Sequence, residues 1–196
     1  MVAVALPTVP APREVNPRIV EAYKELRTAK GTNVQRVYRG GAHNALDFTM
    51  PPMRAETARQ WRRVLNQGEV IMTVPQPGLE IGSPGLALVA SEAPTGSTLP
   101  LKGLTANAFI QHGRFLSIET DGRHYLYGIA ADCVVAADGT VSVPLEIMLQ
   151  TAHAEDDPVN LVAPVIQGFA TVSEDSFRVQ VPDIVSGLQF TIEERG

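Results

Sequence analysis

The sequence predicts a mainly β protein, a sandwich or small barrel with one flanking α-helix, and three observations carry that expectation. First, two Asp-Gly pairs are flanked by alternating apolar residues: Phe115–Thr120 and Arg123–Ile129 around Asp121-Gly122, and Cys133–Ala137 and Thr140–Leu145 around Asp138-Gly139. Asp-Gly supplies the two positive φ angles of a type I′ turn, so each pair predicts a two-residue hairpin. Second, 16 Gly and 15 Pro in 196 residues give many chain reversals and suit a helical bundle poorly. Third, short strand patterns recur between 85 and 150: Leu86–Ala90, Thr98–Leu104, Phe115–Glu119, Tyr125–Ala130, Cys133–Ala136 and Thr140–Met148. Strands at such short intervals predict a small barrel or sandwich.

Taken from the N-terminus, residues 1–16 hold Pro7, Pro10 and Pro12 and predict an extended arm or edge segment. Over 17–30, Ile19, Val20, Tyr23 and Leu26 form a helical stripe. Asn16 is a fair N-cap, Pro17 suits the first turn and Gly31 a stop, with a loop of strand character as the alternative. Asn33–Arg39 and Ala42–Met50 predict a hairpin turned at Gly40-Gly41 and ended by Pro51-Pro52. Met53–Asn66 is the strongest helix pattern: Ala58, Trp61, Val64 and Leu65 fall on one face, Glu56 lies in the first turn, and Arg62 and Arg63 complement the C-terminal dipole. Glu69–Val74 has a strand pattern, 75–84 and 151–158 are loops, and Ala163–Glu174, Ser176–Pro182 and Leu188–Glu193 predict closing strands, the first two hairpin-like. The two loops bracket a β segment, so the division is 1–80 with 163–196 as one discontinuous unit and 81–162 as an insertion.

Composition narrows the function classes. Apolar residues make up 44% and charged residues 19%, enough for a packed core. The net charge of −5 argues against general charge attraction to nucleic acid. Cys133 is the single cysteine, set in a strand pattern that predicts burial; it excludes an intrachain disulfide. No run approaches the roughly 18 apolar residues of a membrane helix. The apolar start Met1–Pro7 lacks a basic n-region, so the expectation is synthesis in the cytoplasm without an export signal.

Few residues suggest chemistry. His43, His112, His124 and His153 show no metal-pair spacing. Ser117, Asp121 and His124 can be drawn as a triad, but no nucleophile elbow or Gly-rich oxyanion loop accompanies them, and Ser117 and His124 are expected at exposed positions beside a turn. Glu155-Asp156-Asp157 offers clustered carboxylates without EF-hand spacing and predicts a solvated loop. Arg54, Arg59, Arg62 and Arg63 predict a solvated helix face, with an intersubunit ion-pair face and a phosphate-binding surface as alternatives. No catalytic, cofactor-binding or metal residue is assigned and no enzyme is expected. Extended arms and unpaired strand edges point to an assembly, because edges need partners and a ring supplies them.

The order of several phrases resembles the distal tail protein family of long-tailed bacteriophages and phage-like particles. These are the Gly-Gly turn, Leu46-Asp47-Phe48-Thr49-Met50-Pro51-Pro52-Met53-Arg54, Ala58-Arg59-Gln60-Trp61, Gly113-Arg114-Phe115-Leu116-Ser117-Ile118, Tyr125-Leu126-Tyr127 and Asp138-Gly139-Thr140-Val141-Ser142-Val143-Pro144-Leu145. The resemblance spans most of 33–182; it departs at Arg114, where the family pattern has an acidic residue, and 17–30 has no counterpart. It implies a tail-tube-like belt with one flanking helix and an inserted OB-like or galectin-like β domain. It also implies a homohexameric ring in the virion tail, joining the tail tube protein to the tail hub protein, with DNA passing through the lumen without specific binding. Alternatives are another tail component (tube subunit, terminator or baseplate adaptor) or a carbohydrate-binding module, the latter disfavoured by 6% aromatics and a lone Trp in a helix pattern.

Overall fold

The computed structural model describes residues 3–21, 23–27, 34–38, 41–79, 81–173, 176–180 and 183–195. Strand accounts for 49% and helix for 7%, so the chain is mainly β, with one α-helix among the described residues. Before residue 81 the elements are β1 (Val4–Ala5), β2 (Glu14–Val20), β3 (Tyr23–Arg27), β4 (Val34–Tyr38), β5 (His43–Thr49), β6 (Met53–Arg54), α1 (Ala55–Leu65) and β7 (Glu69–Thr73). Between 81 and 162 lie β8 (Gly85–Val89), β9 (Thr98–Leu104), β10 (Phe109–Ile110), β11 (Phe115–Thr120), β12 (Arg123–Gly128), β13 (Cys133–Val134), β14 (Val141–Pro144) and β15 (Val159–Asn160). The chain closes with β16 (Val165–Val172), β17 (Arg178–Gln180), β18 (Ile184–Ser186) and β19 (Gln189–Glu194).

Six strands make one open sheet in the order β1-β7-β16-β19-β5-β2, antiparallel except for the parallel β1/β7 pair. Alternation sends Leu46, Phe48, Ile166, Phe190, Ile192, Val70 and Met72 to one face, where α1 covers them. Of the stripe expected from the sequence the helix buries Ala58, Trp61 and Leu65, while Val64 is half-buried at the edge of the same core. Trp61 is fully buried; its ring lies 5.9 Å from that of Phe190, which stacks on Phe48 at 5.2 Å. Helical turns begin at Ala55 rather than Met53, because Met53 and Arg54 pair with Val185 and Ile184 as a short strand.

A second core, aliphatic apart from Tyr127, is built wholly from buried residues of 87–161. Three sheets enclose it: β12-β11-β15, β14-β9-β8 and β10-β13. Two bridges join the larger pair into a small barrel, Ile129 with Leu145 and Leu88 with Pro158. Backbone bonds reinforce both seams: Glu146 N–H to Gly128 O at 2.9 Å and Ala130 N–H to Pro144 O at 2.9 Å on one side, Val89 N–H to Asp157 O at 3.0 Å on the other. The β11/β12 ladder runs from Phe115↔Gly128 to Thr120↔Arg123 and turns at Asp121-Gly122, with φ of 52° and 73°, the positive values that the Asp-Gly signal requires.

Four sequence expectations are overturned. Over 17–20 and 23–27 the expected helix gives way to the alternative strand character: β2 pairs with β5 from Glu14↔Thr49 to Val20↔His43, and β3 pairs with β4. Pro17, Ile19 and Val20 favour extended backbone, and the ladder to β5 outweighs a helical spacing. Residues 28–33, including the Gly31 stop, and Arg39 and Gly40 lie outside the described residues. The expected hairpin at Gly40-Gly41 is replaced by a longer one, in which β4 turns back on β3 and β5 on β2. The second Asp-Gly closes a tight turn, with Ala136 N–H to Thr140 O at 2.8 Å, but β13 pairs with β10 and β14 with β9. The closing strands also change partners: β16 lies between β7 and β19, whereas β17 pairs with β18.

Candidate functional site

Most residues singled out from the sequence are engaged structurally. The carboxylates of the 155–157 loop are occupied: Lys102 Nζ reaches Glu155 at 2.7 Å and Asp156 at 2.8 Å, while Asp157 Oδ2 accepts from Ala154 N–H at 3.0 Å and from Thr120 Oγ1 at 2.5 Å. Among the described residues no group of three or more His, Cys, Asp and Glu could hold a metal. Arg54, Arg59, Arg62 and Arg63 are exposed, and the Arg62 guanidinium stands 5.8 Å from the centre of the Phe177 ring. Cys133 is half-buried rather than buried, and desolvation pushes its thiol pKa up. His112 Nδ1 lies 2.8 Å from Asp132, whose carboxyl is held below the usual range by the His112 backbone N–H and ring. Arg114, the departure from the family pattern, is buried and donates through Nε and Nη2 to Leu161 O.

Ser117 and His124 do not occupy the exposed positions expected for them. Ser117 is only 2% exposed, and its Oγ accepts from Val165 N–H at 3.1 Å; His124 is half-buried opposite Glu119 in the ladder. Both line a cleft of about 380 Å³ between segments 84–87 and 158–162, with Glu119 beside them. Asp121 does not line it and sits exposed at the turn. The three residues therefore do not assemble as a triad, and the cleft itself has no signature in sequence spacing.

Across the open sheet, the face away from α1 is mainly polar along β2, β5 and β19, whereas β16 and β7 place the exposed Phe169 and the half-buried Ile71 on the same side. Registers align Asn16, Asp47, Thr191 and Thr171 in one row over four strands. Asp47 accepts from Thr191 Oγ1 at 2.5 Å and lies 3.6 Å from Arg18 Nε, and Glu193 lies 3.0 Å from His43 Nε2. Glu14, Thr49, Ser173 and Gln189 extend the same surface. At the sheet's ends, β1 and β2 each have one side without a strand partner among the described residues.

Where barrel meets sheet, buried polar groups form a seam. The Glu194 carboxylate is 3% exposed and accepts from Leu126 N–H at 2.7 Å, Asn44 N–H at 2.9 Å and Gln150 Nε2 at 2.9 Å. Desolvation raises its pKa against the pull of those donors. Asn44 Nδ2 donates to Leu126 O at 2.7 Å, and Gln167 links His124 N–H to Glu69. From Gln150 a hydrogen-bond chain continues into the barrel. Its N–H donates to Tyr127 Oη at 3.1 Å, Tyr127 meets His153 Nε2 at 2.9 Å, and His153 Nδ1 meets Thr120 Oγ1 at 2.7 Å. Thr120 gives its proton to Asp157, so His153 donates from Nδ1 and accepts at Nε2 as a neutral imidazole. Burial drives its pKa down to about 4, against an upward pull from Asp157. Spacing could not reveal His153. Glu194 had a usable signal, since it shares strand parity with Phe190 and Ile192.

Compared with known protein families and with curated proteins, the chain matches no family model and no curated protein. Among the described residues no helix is long and apolar enough to cross a membrane.

Proposed function

We propose that the chain is a structural component of a phage-type tail: a homohexameric ring at the distal end of the tail tube, joining the tube protein to the tail hub protein. The observation that carries this reading is the open sheet ending on β1 and β2, each with one side lacking a strand partner among the described residues. Exposed edges are aggregation hazards in a free monomer, and lateral joining of copies in a closed ring removes them. The sheet's two faces fit the same arrangement. One is sealed by α1, and the other carries a polar row of Asn16, Asp47, Thr191 and Thr171, with the exposed Phe169 beside Glu193. Such a surface suits a water-filled lumen through which a polyanion passes without being held. The barrel, fixed to the sheet by the Glu194 seam, sits outside that lumen, and no catalytic step is assigned to it.

Mass photometry of the purified chain tests the reading. A hexamer supports it. A strict monomer at high concentration that also fails to assemble on a tail tube partner overturns it.

A further inference from the structure

We propose that the outer face of α1 docks on the acidic rim of the barrel in a neighbouring copy of this chain, a head-to-tail contact repeated from copy to copy. The contact rests on the ring reading and supplies the joint between its copies. Arg59, Arg62 and Arg63 stand at i, i+3 and i+4, so they share one side of the helix, away from the Ala58, Trp61 and Leu65 face that seals the sheet. Arg54 extends the stripe at the helix entry, and Glu56 is the one carboxylate on α1. All four arginines are exposed, and none of their side chains has a hydrogen bond or ion pair among the described residues. By contrast, Arg18 lies against Asp47, and Lys102 against Glu155 and Asp156. The helix therefore presents positive charge that nothing described in its own chain neutralises.

Charge complementarity identifies the occupant. At one end of the barrel the β11/β12 turn and the 154–157 loop are tied together, since Thr120 Oγ1 donates to Asp157 Oδ2 at 2.5 Å and Glu119 N–H to Pro158 O at 3.0 Å. This brings Glu119, Asp121, Glu155, Asp156 and Asp157 to one rim, where Lys102 and Arg123 are the cations beside them. Glu119 and Asp121 are exposed, and the Glu155 and Asp156 side chains stay 59% and 67% exposed while they share Lys102. Stripe and rim are of opposite sign, and no ion pair joins them within the chain among the described residues. A surface whose complement lies elsewhere on the same molecule makes a heterologous contact, which closes into a ring where the rotation between copies allows. Planar guanidinium forks pair with carboxylates two bonds at a time, so the contact also fixes orientation. Both surfaces lie away from the polar row assigned to the lumen. A nucleic acid fits the stripe less well: Arg59 to Arg63 spans a rise of only about 6 Å, and the sole aromatic of α1, Trp61, is buried and cannot stack on a base.

Sedimentation velocity on the full chain tests the contact with two charge-reversed variants. One carries Arg59→Glu, Arg62→Glu and Arg63→Glu; the other carries Glu119→Lys, Asp121→Asn and Glu155→Lys. Every change is at an exposed position, and Asn tolerates the φ of 52° at residue 121. Each variant alone is expected to sediment as a monomer while the wild type assembles. A 1:1 mixture is expected to regain the wild-type assembly, because every stripe then meets a rim of opposite sign in an alternating ring; a misfolded variant could not be rescued in this way. The wild-type assembly itself should loosen as NaCl is raised from about 0.05 to about 0.5 M, through screening. Assembly unchanged in either variant, no recovery on mixing, or an assembly indifferent to salt overturns the contact and leaves the ring reading standing. A wild type that stays monomeric alone also overturns the contact, while its assembly on a tail tube partner still decides the ring. Duplex DNA bound by the wild type and lost in the arginine variant, with assembly unchanged, assigns the stripe to nucleic acid instead.

Discussion

The open sheet and the barrel treat strand edges in opposite ways. The sheet runs from β1 to β2 and leaves one side of each without a strand partner among the described residues, whereas the barrel returns on itself through Leu88 and Pro158. Their cores differ in parallel. Trp61, Phe48 and Phe190 fill the sheet side, while aliphatic residues and the His153 hydrogen-bond chain fill the barrel. The contrast teaches that closure removes the need for a neighbour. The barrel satisfies its own backbone, and the sheet's unmet bonding capacity is directed outward.

Four experiments break or sharpen that contrast. Trp61→Ala removes the largest fully buried side chain of the sheet core and is expected to cost about 3–5 kcal/mol in urea denaturation followed by far-UV circular dichroism. A loss below about 1 kcal/mol would show that α1 does not seal the sheet. Next in size is a pH effect confined to the barrel. His153 binds its proton less readily folded, near pH 4, than unfolded, near 6.5, so the unfolded chain holds more protons between those values and stability rises with pH across them. About 3 kcal/mol is lost on acidification through this window, and His153→Gln removes the slope. Glu194 acts with the opposite sign, because its raised pKa lets the folded chain hold the extra proton; a wild-type slope of that sign would contradict the dominance of His153.

Glu194→Gln tests whether the two cores unfold together. Replacing a carboxylate oxygen by NH2 against three N–H donors leaves one of them unsatisfied, at a cost of about 1–3 kcal/mol. Calorimetry should split one transition into two if this seam couples sheet to barrel, and a single unbroken transition would place the coupling in the apolar contacts instead. The smallest effect is Gly122→Ala, at φ 73° with open space around it, which should cost about 1 kcal/mol and leave the sheet untouched.

Local chemistry was legible in the sequence, and partner choice was not. Asp121-Gly122 names its own turn and sits between strands that pair, so the β11/β12 ladder follows directly. Asp138-Gly139 is the same signal, yet β13 leaves for β10 and β14 for β9, because a turn motif constrains four residues and not the strands beyond them. The α1 stripe was readable since its spacing and its flanking prolines agree. Over 17–30 a helical spacing competed with the ladder to β5, a partner some thirty residues away that local periodicity cannot register. The cleft and the seam were hidden for a related reason. Ser117, Glu119 and His124 meet segments 84–87 and 158–162 only when the barrel closes, and Glu194 meets Leu126, Asn44 and Gln150 only when sheet and barrel join.

Thr73 and Val165 are partners in the β7/β16 ladder. The chain thus departs for the barrel and comes back at one point on the sheet, as it would for a simple hairpin. Seen from the sheet, everything between those residues is a loop, whatever its length. Its length can vary while the ladders from β1 to β2 keep their register, provided that the groups meeting Glu194 and the sheet core through Leu126 and Gln150 are retained.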